Sequence, residues 1–175
     1  KIITDTSKYW IKAQERINLN NKLNFFKTHN ILGSINNNNF TNKKNTAGAI
    51  YIVRDPRNVL TSLQNHYELS KVEALKFMLS EKKYIYDYHA ENDFSDFQLI
   101  SSWEKNYKSW TNQQIFPVKL IRYEDLNLKT LDTLREIIEY IQETVQEKKD
   151  FNYHKAQNSV KSTNFENMKN MEKNN

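Results

Sequence analysis

The chain has no cysteine, only two prolines and two glycines, and no long apolar run. Without cysteine there is neither a disulfide framework nor a thiolate-based metal site, and the redox compartment is left open with a lean towards the cytoplasm. So few prolines and glycines argue against a long linker or a low-complexity arm. The two glycines, Gly33 and Gly48, stand apart, and no stretch fits the GxxxxGK[ST] phosphate loop. No segment approaches the roughly 18 apolar residues of a membrane span. Lys1 is not an initiator methionine, so an upstream signal or anchor stays open.

What is present suits one α/β domain. A chain of 175 residues can bury a core. Its 38% hydrophobic content and mean hydropathy of -0.86 are polar for a globular domain, but 13% aromatic residues argue against disorder. Asparagine and lysine are abundant, as in the run Asn36 to Asn39. A net charge of +5 and a pI near 9.2 would permit nucleic-acid binding. The positive charges are interleaved with Asp and Glu rather than gathered in a stripe, which favours a basic cleft for an anionic cofactor.

Periodicity lays out alternating elements. A helix is expected over Thr4 to Leu19, with Trp10, Ala13 and Ile17 at helical spacing. A short strand follows over Leu23 to Thr28, then a polar loop from Asn30 to Asn45. Strand Ala49 to Val53 leads into a helix from Pro56 to Tyr67, and Ser70 with Glu73 forms a capping box for a helix to about Ser80. Tyr84 to Asp93 is ambiguous. Phe97, Ile100, Trp103, Tyr107 and Trp110 suggest an amphipathic helix from Ser95, with Trp103 and Trp110 read as core. Pro117 precedes a strand over Val118 to Arg122, and Leu131 to Ile141 marks another helix. The alternation implies a three-layer αβα fold around a parallel sheet, with strands ending near Thr28, Val53 and Tyr123.

The most informative stretch is Tyr51-Ile52-Val53-Arg54-Asp55-Pro56-Arg57-Asn58-Val59-Leu60-Thr61, with Ser62 following. It reads as a buried strand ending in a cationic turn that starts a helix. Asp55 suits the N-cap and Pro56 the first helical position. Arg54 then stands at the carboxyl end of a parallel strand, where open α/β sheets bind ligands, and its guanidinium favours a phosphate or sulfate. The alternative is an ion pair with Asp55 or Glu124. His29 directly follows a predicted strand, and alternation puts Lys27 and His29 on one face. Imidazole, with an ordinary pKa near 6.5, can take a proton from a hydroxyl at neutral pH. His66, His89 and His154 sit in polar or helical contexts that suit solvated or capping roles. Glu124 and Asp125 are read as a helix cap and an ion-pair partner.

Four segments in order carry a resemblance. Arg54, Pro56 and Ser62 are similar to the 3′-phosphate-binding stretch of the sulfotransferases that use 3′-phosphoadenosine 5′-phosphosulfate (PAPS). Phe25-Phe26-Lys27-Thr28-His29 resembles that family's strand ending in Lys-Thr-His. Ile121-Arg122-Tyr123-Glu124-Asp125-Leu126 resembles its Tyr-Glu-Asp motif. Thr163-Asn164-Phe165-Glu166-Asn167-Met168 is similar to its Thr-Ser-Phe-x-x-Met segment. The resemblance implies a P-loop nucleotide-hydrolase-like fold, PAPS as co-substrate and no metal. It implies His29 as general base and Lys27 beside the transferring group. It also implies a cofactor site drawn from Arg54, Ser62, Tyr123, Thr163, Phe165 and Met168.

Two departures shape the expectation. The family's opening Pro-Lys-Ser-Gly-Thr-Thr-Trp phosphate loop and its late Arg-Lys-Gly segment have no counterpart here. The chain is therefore expected to be one incomplete sulfotransferase domain, inactive alone, whose parent moves a sulfuryl group to a small-molecule or glycan acceptor hydroxyl or amine. A non-catalytic nucleotide- or polyanion-binding module of the same fold is the alternative, and a kinase-like enzyme ranks third. No nucleic-acid partner is expected, and oligomeric state and acceptor identity are not encoded in any motif.

Overall fold

A computed structural model describes residues 5–20, 22–86, 97–147, 149–163 and 167–169. Along the chain come α1 (Trp10–Ile17), the strands β1 (Ser34–Ile35) and β2 (Asn38–Asn39), β3 (Ala49–Val53), α2 (Pro56–Tyr67) and α3 (Lys71–Leu79). Then follow β4 (Tyr84–Ile85), β5 (Gln98–Leu99), α4 (Trp103–Thr111), β6 (Val118–Arg122), α5 (Tyr123–Leu128), α6 (Thr130–Thr144) and α7 (Tyr153–Ser162). Short 3₁₀ turns flank α1 at Ser7–Tyr9 and Asn18–Asn20. The class is mixed α/β, and β3 pairs in parallel with β6. A long crossover separates these two strands, as parallel pairing demands.

Local chemistry sets the helix starts. The Asp55 carboxylate accepts from the Arg57 backbone N–H, and Pro56 fills the first helical position of α2. Ser70 and Glu73 form the expected reciprocal capping box on α3. Ser102 and Asn152 cap α4 and α7 by accepting from the backbone N–H groups of Lys105 and Lys155.

Several expected elements differ. Leu23 to Thr28 is not a strand, and the expected third parallel strand is absent among the described residues. Phe25 and Phe26 are 67% and 68% exposed, so no neighbouring strand covers them. The polar loop contains a hairpin instead: Ser34 pairs with Asn39 and Ile35 with Asn38. Asn36 and Asn37, at φ 49° and 64°, make its two-residue turn, a conformation asparagine tolerates better than most side chains. Phe97 and Ile100 lie outside any helix, because β5 pairs antiparallel with β4 and α4 begins only after Ser102. In α1 the inward residues are Trp10, Ile11, Gln14 and Asn18, whereas Ala13 and Ile17 are exposed. Polar side chains do the docking there: Gln14 donates to the Phe40 carbonyl at 2.7 Å and Asn18 to the Asn45 carbonyl at 3.1 Å.

Contacts divide the chain into two compact units. One comprises Lys1–Ala49 and Asp55–Val118, the other Ile50–Arg54 and Lys119–Asn175. In the first, Trp10, Phe40, Trp110 and Phe116 form a chain of aromatic contacts with ring centroids 5.4–6.4 Å apart. Each such pair adds roughly 0.5–1.5 kcal/mol beyond its buried area. In the second, Ile121, Thr133 and Ala156 are buried on β6, α6 and α7. Lys119 on β6 pairs with Glu136 on α6 at 2.9 Å.

Candidate active site

The Lys27–His29 stretch belongs to the first unit. It forms no strand among the described residues and is held by amide side chains. The His29 N–H donates to Gln98 Oε1 at 2.6 Å, and the His29 carbonyl accepts from Asn106 Nδ2 at 3.2 Å. Next to it, Asn30 Oδ1 accepts from the Leu99 N–H at 2.8 Å, and the Asn30 carbonyl accepts from the buried indole of Trp110 at 2.9 Å. Asn30 also donates to Thr28 Oγ1, through its backbone at 3.0 Å and its side chain at 3.3 Å.

His29 is exposed as a residue, yet enough protein surrounds its ring to matter electrostatically. Partial burial pushes the imidazole below its ordinary value, and the Lys27 ammonium adds to that shift. Both effects favour the neutral ring, the form that can accept a proton. Lys27 itself is exposed.

The second unit carries Arg54 and Tyr123. Arg54 follows the last residue of β3 and Tyr123 the last of β6, so parallel pairing brings them to the same sheet end. The Arg54 guanidinium lies over the Tyr123 ring, 4.7 Å from its centroid. Such a contact is worth about 0.5–2 kcal/mol and fixes the cation's plane. Arg54 Nε is nevertheless buried with no hydrogen-bond partner among the described residues. Asp55, which the sequence offered as its ion-pair partner, accepts from Arg57 through both carboxylate oxygens.

A family model described as sulfotransferase domain matches residues 5–175. The chain belongs to the sulfotransferase family. No curated protein matches it.

In this sulfotransferase domain, the remaining sequence-predicted residues are placed as follows. Ser62 is an exposed residue in the middle of α2, in the first unit, whereas Arg54 lies in the second. Tyr123 opens α5, whose first turn holds Glu124 and Asp125; neither side chain serves as the helix cap. Thr163 follows α7 and donates to the Ser159 carbonyl at 2.8 Å. Met168 is exposed. Phe165 and His89 lie outside the described residues. His66 packs edge-on against Tyr67 on α2, and His154 is exposed on α7. Sequence reasoning missed Gln98, Asn106 and Asn30. Single amides far apart in sequence leave no periodic or motif signal.

Proposed function

We propose that this sulfotransferase domain moves a sulfuryl group from PAPS to an acceptor hydroxyl or amine. The observation that carries the reading is Arg54, a cation held against Tyr123 with a buried Nε–H that meets no acceptor among the described residues. A buried donor left unpaired costs about 1–3 kcal/mol, which an anionic oxygen would offset. The 3′-phosphate of PAPS supplies such oxygens. Tyr123 lies against the nucleotide, joined by Thr163, Phe165 and Met168. Pairing of Ser62 with Arg54 on one phosphate rests on the sequence resemblance.

When bound, PAPS supplies a sulfuryl group on a bridging oxygen to phosphate. The acceptor oxygen forms its bond to sulfur as the sulfur–bridge oxygen bond breaks. His29 takes the acceptor's proton, and the electron pair of the broken bond stays on the phosphate oxygen. Lys27 offsets the negative charge gathering there. Sulfated acceptor and 3′,5′-adenosine bisphosphate result, and the proton passes from His29 to solvent.

Titration calorimetry on the protein tests the Arg54 assignment. Hydrogen bonds to a charged group are worth about 1.5–3 kcal/mol, so Arg54→Ala should weaken PAPS binding by roughly ten- to a hundredfold. Adenosine 5′-phosphosulfate, which lacks the 3′-phosphate, should lose little. Equal losses for the two nucleotides would remove Arg54 from the 3′-phosphate.

A further inference from the structure

The peptide groups on both sides of His29 are gripped by side chains from two remote elements. Gln98, on β5 and 69 residues away, accepts from the His29 N–H at 2.6 Å. The same oxygen lies 3.4 Å from the Thr28 hydroxyl. Asn106, on α4 and 77 residues away, donates through one Nδ2 to the His29 carbonyl at 3.2 Å and to the Ile100 carbonyl at 2.8 Å. Asn106 thereby ties the segment after β5 to the His29 peptide. Flanking bonds extend the grip along the chain: Ile31 N–H to the Leu99 carbonyl at 2.7 Å, and Leu32 N–H to Ser109 Oγ at 3.0 Å. The bonds to residues 29, 31 and 32 all end on main chain, so none of them uses the imidazole.

A strand in a ladder would have its peptide groups fixed by its neighbours. Among the described residues, 22–30 form no strand, and the amides take over that task. Fixing the N–H and the carbonyl of one residue fixes the direction of its Cα–Cβ bond, and hence where the ring can reach. We propose that Gln98 and Asn106 are positioning residues for His29, setting the approach of its ring to the acceptor proton. The proposal rests on the reading of His29 as the general base. Neither residue touches the reacting atoms; both act through the His29 backbone.

The test uses hydrolysis of PAPS, with water as acceptor, at pH 8, alongside the His29 Cε1–H resonance in NMR. Misplacement of a catalytic group by about 1 Å can cost as much as a hundredfold in rate. Gln98→Met, which keeps the shape but loses the acceptor, and Asn106→Leu, which loses the donor, should each lower kcat by roughly ten- to a hundredfold. KM for PAPS should stay unchanged, and the His29 resonance should move towards its random-coil position. Gln98→Glu keeps an oxygen on the His29 N–H and should retain most of kcat. Asn106→Asp replaces the leucine variant if that one melts below the assay temperature. Wild-type kcat in Gln98→Met and the Asn106 variant would overturn the proposal, as would a lost kcat with an unmoved His29 resonance. His29→Ala with normal hydrolysis would instead sink the general-base reading, while the resonance would still report whether the amides hold the ring.

Discussion

At the scale of single residues, the proposed chemistry turns on a neutral imidazole beside an ammonium. His29→Ala should reduce turnover by about 10²–10⁴, the usual cost of losing a general base, with PAPS affinity nearly unchanged. Lys27→Ala should lower kcat by roughly 10²-fold, as loss of a charge-stabilising donor does. Partial burial first, and Lys27 second, hold the His29 pKa below 6.5. The acid limb of the rate profile should therefore fall below pH 6.5. Lys27→Met should move that limb upward but short of the ordinary value, because burial persists. Rate profiles of the two proteins check this, and a limb that ignores Lys27 would separate the two groups. The stability linkage has the same sign. A depressed folded-state pKa gives a contribution present above pH 6.5 and lost as pH falls through the folded value.

At the scale of elements, caps were legible and partners were not. β3, α2 and β6 have the bounds the sequence predicts, because Asp55-Pro56 and Pro117 punctuate them and their apolar runs are short. Residue 55 also supplies a test. Asp55→Ala removes the cap of α2 and should cost about 1 kcal/mol, read as a lower melting temperature. Asp55→Asn keeps a capping oxygen and should cost much less, since the exposed Arg57 gains little from its ion pair. Equal losses would assign the stability to the ion pair instead. The Leu23 to Thr28 strand failed because strand propensity describes a residue's fit to a sheet, and no described strand is there to pair with it. The Asn36–Asn37 hairpin was hidden for the opposite reason: a polar run resembles a loop unless both turn positions are tested for the left-handed conformation. α1 misled by its chemistry, since its docking face uses Gln14 and Asn18 where periodicity looks for apolar side chains. Of the candidate site, the sequence singles out the residues with unusual chemistry, Lys27, His29, Arg54 and Tyr123, whose roles are proposals. It could not reveal Gln98 and Asn106, which are ordinary amides until folding sets them against a peptide group.

At the scale of the whole molecule, the mixed surface still carries a net charge of +5. A doubly or more highly charged nucleotide should be drawn to it, and salt should screen that attraction over about 10 Å at 0.1 M. Raising sodium chloride from about 50 mM to about 500 mM should weaken PAPS binding several-fold, mainly through a slower on-rate. Stopped-flow binding at both salt concentrations measures this, and a salt-independent on-rate would confine the electrostatics to short-range contacts.

The grip on His29 is built from carboxamides and an indole, groups that neither gain nor lose a proton across the range where enzymes work. The frame around the ring is therefore silent to acid and base. Its hold at pH 5 is the hold at pH 9, so a titration follows the imidazole without a simultaneous change of geometry. A carboxylate in the place of Gln98 would have tied the ring's position to its protonation; an amide keeps position and charge independent.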